Sequence, residues 1–115
     1  MAEEKQTPKD DEAALMAAMG LIANGGNAKS LAFEAIRLAK KGEISAARAK
    51  LAESDKSLTD AHNSQTEMLT KEAQGEHTKV TLLVVHSQDH LMNAITFRDL
   101  AGEMVDLYEK LFARE

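Results

Sequence analysis

Apolar residues return every three or four positions from Leu15 onward. Leu15, Met19 and Ile22, then Leu31, Ala32, Ala35, Ile36 and Ala39, recur on one face at helical spacing. Lys40-Lys41-Gly42 closes this stripe with cations for a last turn and a glycine just beyond, the chemistry of a helix stop. A second stripe, Ala47, Leu51, Leu58, Ala61, Met68 and Leu69, predicts a helix from about Ile44 to Ala73 with Gly75 as its stop. Ser54, Asp55, His62 and Gln65 dilute it. A third pattern begins after Thr78, the expected N-cap, and runs through Leu82, Val85, Met92, Ile95, Leu100, Met104, Leu107 and Leu111.

Two stretches argue locally against helix. Val80 to Val85 is rich in β-branched residues and would pass for a buried strand by propensity, but the apolar period persists for about thirty residues, too long for a strand. Asn24-Gly25-Gly26-Asn27 reads as a turn and taken alone would split the first segment in two.

Three helices of about thirty residues are each about 45 Å long and, with short connections at Gly42 and Gly75, make an all-α, up-down-up three-helix bundle. So slender a bundle has a thin core. Its third helix carries apolar residues on more than one face, with Leu82, Leu83, Val84 and Val85 in succession, which points to self-association. Met1 to Lys9 is polar and has nothing to bury. Residues 1–10 are therefore expected to be a flexible leader and 11–115 the single folded domain, with Asp10 or Asp11 capping the first helix.

Composition adds exclusions. The formal charge is −5 and no Lys/Arg block stands out, so the electrostatic footprint of a nucleic-acid binder is missing. With no cysteine, neither a disulfide framework, a thiolate nucleophile nor a cysteine zinc site can form. The apolar run Ala13 to Ala23 follows an acidic leader and is too short to cross a bilayer, so a cytoplasmic protein is expected.

The chemistry concentrates in Val84-Val85-His86-Ser87-Gln88-Asp89-His90-Leu91-Met92. His86, Asp89 and His90 are spaced i, i+3, i+4 and share one helical face, which Asn93 extends by a turn. Three readings are open. The trio could chelate a divalent metal, although Ser87 stands where the His-Glu-x-x-His protease motif needs glutamate. The histidines could be packed residues hydrogen-bonded to backbone or Asp89. Or one imidazole could accept a phosphoryl group, since histidine is nucleophilic near neutral pH. Asp89 lies between Val85 and Met92, and an unpaired carboxylate beside that apolar seam needs a cation, an imidazolium or a symmetry mate. His62 and His77 are assigned surface or inter-helix roles, and Met16, Met19, Met68, Met92 and Met104 are read as core filler.

The stretch Val84 to Met92 resembles the signature of the lactose/cellobiose-type enzyme IIA proteins of the bacterial phosphoenolpyruvate-dependent sugar phosphotransferase system. Ala61-His62-Asn63-Ser64-Gln65-Thr66-Glu67-Met68-Leu69 with Glu72 and Gly75, and Asn24-Gly25-Gly26-Asn27-Ala28-Lys29-Ser30-Leu31-Ala32, match that family in order and spacing. The likeness covers about Leu15 to Leu111. Ser87 departs from the small alanine or glycine usual there.

The resemblance implies a nine-helix homotrimer with the third helices around the three-fold axis, and a helical Asn24 to Asn27. It implies that His86 takes a phosphoryl group from the histidine-containing phosphocarrier protein and passes it to a cysteine on enzyme IIB. Gln88 and His90 are expected to support the phosphorylated imidazole. Asp89 is expected to meet its symmetry mates around a structural divalent cation, with magnesium the expected ion. The process served is uptake of a β-linked disaccharide, slightly nearer the cellobiose/chitobiose branch than the lactose branch. The membrane is engaged only through the IIC transporter. The rival from another class is a non-catalytic trimeric helical interaction module; the further rival is a metal-dependent hydrolase.

Overall fold

The computed structural model describes residues 8–114, which form three helices: α1 (Pro8–Lys40), α2 (Ile44–Ala73) and α3 (Leu82–Ala113). Among the described residues there is no strand, and the tight α1–α2 and α2–α3 connections set the helices up, down and up.

α1 starts earlier than the expected boundary at residue 11. Pro8 lacks the N–H that a first turn leaves unused and has φ preset for helix, so it opens α1. Asp10 and Asp11 consequently lie inside the first turn, where their charge suits the helix dipole, rather than capping it. Residues 8–10 of the expected leader are thus helical, and 1–7 lie outside the described residues.

Both predicted glycine stops are present. Gly42 (φ 81) and Gly75 (φ 89) are left-handed, and each closes a six-to-one and five-to-two pair of backbone bonds. Glu43 N donates to Leu38 O and Gly42 N to Ala39 O; Glu76 N donates to Lys71 O and Gly75 N to Glu72 O. These satisfy carbonyls that a helix end leaves bare.

The start of α3 falls three residues later than Thr78 suggests. Thr81 is the N-cap, its hydroxyl oxygen accepting from Val84 N at 3.2 Å. Residues 76–80 are irregular, and Lys79 and Val80 are exposed, so extending the helix back to Thr78 would bury nothing.

The core is thin and built from small residues. Ala32, Ala35, Ile36, Ala39, Ala47, Leu51, Ala101 and Val105 form one cluster. Leu21, Ala28, Leu58, Ala61, Leu91 and Ala94 form the other, beneath the start of α3. α1 enters that second cluster through Leu21 and Ala28, and its buried face here, with Ala18 and Gly25, is one step round the helix from the expected Leu15 and Met19, which are exposed. Reading the methionines as core filler is corrected for the same reason. Met16, Met19, Met92 and Met104 all face outward, and only Met68 packs against the core.

Asn24 to Asn27 is continuous helix. Gly25 is buried, and a Cβ there would lie 3.5 Å from the carbonyl oxygen of His90. A residue no larger than alanine therefore lets the α1 and α3 backbones come together at this level. Two neighbouring hydrogen bonds tie α1 to α2: Ser54 Oγ donates to Ala28 O at 2.8 Å and Asn27 Nδ2 to Ser57 Oγ at 2.7 Å. Such close packing outweighs the local turn tendency of two adjacent glycines.

Candidate functional site on the third helix

The helical period sorts the residues of the Val84 to Met92 stretch by direction. Ser87, Leu91 and Ala94 point into the bundle and are fully buried, whereas His86, Asp89 and Asn93 point outward. Ser87 loses nothing by burial, because its hydroxyl donates to Val84 O at 2.7 Å. His90 lies at the edge, half-buried beside the α1 contact.

His86 and His90 meet edge to face, with ring centroids 5.1 Å apart and planes at 71°. Among the described residues, neither ring has a hydrogen bond to another protein group. The packed-histidine reading, which requires a bond to backbone or to Asp89, is therefore not met. The Asp89 carboxylate instead receives Asn93, whose Nδ2 donates to Asp89 Oδ1 at 3.3 Å and to the Asp89 carbonyl at 3.2 Å. Nor do His86, Asp89 and His90 form a chelating trio: no group of three metal-ligating side chains occurs among the described residues. The described residues of one chain thus do not assemble the metal centre of the hydrolase reading.

Gln88, the expected support of the imidazole, lies away from the His86 of its own chain. It projects about 160° round α3 from His86, at about 100° per residue, and faces α2 instead. Its Oε1 accepts from Gln65 Nε2 at 2.7 Å, and its Nε2 contacts Met68 Sδ at 3.7 Å. In the sequence Gln65 is a polar interruption of the second stripe and part of the family-like segment Ala61 to Leu69, with no role of its own assigned. That interruption, at a position 9% exposed, was the available signal of a specific partner.

The outward face of α3 is strongly apolar. Val85, Met92, Leu100, Met104, Leu107 and Leu111 are each about half exposed, and all project within about 60° of Asp89. His86 flanks this stripe on the side of α1. There a groove of about 250 Å³ runs between α1 and the start of α3, lined by Leu15, Leu83 and Val84 among others. His62 is exposed, and His77 is an exposed partner of Glu72 at 2.7 Å, as the surface assignment expects. No helix among the described residues is long and apolar enough to cross a membrane.

The arrangement offers an accessible imidazole with uncommitted ring nitrogens, held on a rigid helix and surrounded by a mainly apolar surface. It can form a bond to an electrophile delivered by another macromolecule. No phosphate-cradling glycine loop accompanies it.

Comparison with known proteins adds independent findings. Residues 16–109 match the family model described as the lactose/cellobiose-specific IIA subunit of the phosphotransferase system. The chain is 48% identical over 115 residues to the cellobiose-specific EIIA component of Lactococcus lactis subsp. lactis (strain IL1403), covering 100% of this chain and 98% of that one. Its structure resembles the crystal structure of the cellobiose-specific enzyme IIA from Bacillus anthracis, with a TM-score of 0.87 and 41% identity over 96% of this chain and 97% of that one. It also resembles the IIA(chitobiose) solution structure in complex with HPr, the histidine-containing phosphocarrier protein, from the N,N'-diacetylchitobiose branch of the Escherichia coli system. There the TM-score is 0.74 and the identity 39%, over 96% and 98% of the two chains.

Proposed function

This chain belongs to the lactose/cellobiose-specific IIA family, and from that membership we propose that it carries phosphoryl groups for sugar uptake, with His86 as the acceptor. The donor is the phosphorylated histidine-containing phosphocarrier protein, the partner seen with the chitobiose relative. The next acceptor is enzyme IIB. The single observation that carries the His86 assignment is its exposed ring, free of hydrogen bonds and beside His90.

In the first transfer an imidazole nitrogen of His86 bonds to phosphorus as the bond to the donor's imidazole breaks, and the electron pair leaves with the donor ring. In the second, the His86 imidazole is the leaving group and a thiolate of enzyme IIB takes the phosphoryl group. Both steps rely on in-line positioning and charge stabilisation, and each partner supplies part of the site. An open, apolar surroundings for His86 suits two docking partners in turn.

The working form is a homotrimer closed on the outward stripe of α3. Six apolar side chains, each about half exposed, would lose water contact there, and completing the burial of a leucine or methionine contributes about 1 kcal/mol. Cyclic packing places one flank of each α3 against the opposite flank of the next. Gln88 of an adjacent copy can then reach the phosphoryl group on His86, which Gln88 of the same chain cannot.

The same closure gathers three Asp89 carboxylates in an apolar setting, where they repel unless neutralised. Their all-oxygen donor set suits a hard divalent cation such as magnesium, whose part would be structural. Location in the cytoplasm follows from the soluble donor, with the membrane reached only through the IIC transporter. A cellobiose or chitobiose-type β-linked disaccharide is the sugar class served, in line with the relatives.

The test is incubation of the protein with phosphoenolpyruvate, enzyme I and the phosphocarrier protein, read by intact mass, with His86→Ala and His90→Ala alongside. One added, acid-labile phosphoryl group that only His86→Ala abolishes is the expected result. Absence of phosphate on the unmodified protein, with active partners, would instead favour a helical interaction module.

A further inference from the structure

A carboxamide has two ends of nearly equal size and opposite hydrogen-bonding character. Only its NH2 end can stabilise a phosphoryl group; turned by half a rotation, the side chain would present an oxygen lone pair to an anion. A glutamine used for this purpose must therefore have its orientation fixed by something other than shape.

Gln88 has such a fixing partner. Gln65, nearly buried on α2, donates from Nε2 to Gln88 Oε1 at 2.7 Å and also touches Met92 Sδ at 3.7 Å. The oxygen of Gln88 is thereby occupied on the inner side. Its Nε2 has Met68 Sδ at 3.7 Å, and a thioether is so weak an acceptor that a phosphoryl oxygen readily displaces it. The pair leaves a half-buried amide with its donor end available. The reverse pairing, with Gln65 Oε1 accepting from Gln88 Nε2, would lose both weak donor contacts and set an amide oxygen against each of Met92 Sδ and Met68 Sδ.

We propose that Gln65 is a positioning residue for phosphoryl transfer, holding the Gln88 amide with its oxygen inward and its NH2 free to donate to the phosphoryl group. The inference rests on the reading in which Gln88 serves the phosphohistidine of an adjacent copy. Gln65 itself touches neither the imidazole nor the phosphoryl group. Its effect passes wholly through Gln88 and vanishes when that amide is absent.

The experiment measures steady-state phosphoryl transfer from the phosphorylated phosphocarrier protein to Gln65→Glu, Gln65→Met and Gln88→Ala, and to each Gln65 change combined with Gln88→Ala. Gln65→Glu replaces the donor with an acceptor of the same size, drawing the Gln88 NH2 inward. We expect kcat to fall about tenfold or more with KM little changed, since a lost or reversed donor acts on the transition state rather than on docking. Gln65→Met removes the donor without a buried charge and fits the methionine-lined surroundings, so it remains folded if Gln65→Glu does not. It should lower kcat about threefold. Neither change should lower kcat further in the Gln88→Ala background. If both Gln65 changes leave kcat within twofold while Gln88→Ala slows transfer, the positioning role is overturned and the Gln88 reading stands. Equal losses with and without the Gln88 amide overturn the positioning role too. If Gln88→Ala transfers at the parent rate, the Gln88 reading fails and takes the proposal with it.

Discussion

Gly25 and Gly26 are adjacent in one helix, yet their surroundings assign them opposite responses to substitution. A Cβ at Gly26 would meet nothing within 4 Å, whereas at Gly25 it would meet His90 O at 3.5 Å, His90 C at 3.6 Å and Leu91 Cα at 3.7 Å. In a helix interior, glycine is about 0.8 to 1 kcal/mol less favourable than alanine. Gly26→Ala should realise that gain in full. Gly25→Ala should keep most of it, because 3.5 Å is an ordinary van der Waals separation. Gly25→Val has no such room. At least one Cγ, about 1.5 Å beyond Cβ, would press on the α3 backbone, and crowding of this kind costs about 1 to 3 kcal/mol.

Urea unfolding at one fixed protomer concentration measures all three, since self-association makes apparent stability concentration-dependent. The expected order is Gly26→Ala, Gly25→Ala, parent, Gly25→Val, from most to least stable. Because the crowded atoms belong to His90 and Leu91, Gly25→Val should also slow phosphoryl acceptance at His86, whose ring packs on His90. A Gly25→Ala variant less stable than the parent by about 1 kcal/mol or more would refute the contact argument, which allows no such cost. A destabilised Gly26→Ala would refute the claim that this stretch is helix at all.

Two further outcomes follow from the cap and from the axis. Thr81→Ala removes the acceptor for Val84 N and should cost about 1 kcal/mol in chemical unfolding, while Thr78→Ala should be near neutral; the reverse pattern would return the N-cap to Thr78. Asp89→Leu takes a carboxylate out of the exposed apolar stripe, so sedimentation should show a trimer that persists in chelator, since buried charge clusters tolerate apolar replacement; dissociation into monomers would show that Asp89 does not face its symmetry mates.

The glycine stops and the number of helices were legible because each depends on a few adjacent residues. The left-handed φ at Gly42 and Gly75 is a local demand, and the lysines before Gly42 reinforce it. Choice of face was less legible. Leu15 and Met19 carry more apolar area than Ala18 or Gly25, so the sequence pattern favours burying them. The thin bundle reverses that choice, because close approach of α1 to α3 demands small residues at the contact and leaves the large ones outside. For the same reason the Asn24 to Asn27 stretch looks like a turn to any local rule: what makes it helical is the His90 backbone sixty-odd residues away.

The polar interruptions of the apolar stripes divide along the same line. Ser54 and Gln65 interrupt a stripe that the chain itself covers, and each has a partner on another helix. No buried side-chain nitrogen or oxygen among the described residues lacks a hydrogen bond, so in this protein a polar residue on a covered face marks a specific contact. Asp89 interrupts a stripe that the chain does not cover, and its bond to Asn93 reaches only one turn along the same helix. An apolar face of that length with a carboxylate within it is incomplete as a monomer surface. The His86 region could therefore be located from sequence as a set of residues, while its division among neighbouring chains, with the imidazole on one flank of α3 and the Gln88 amide on the other, needed the three-dimensional arrangement.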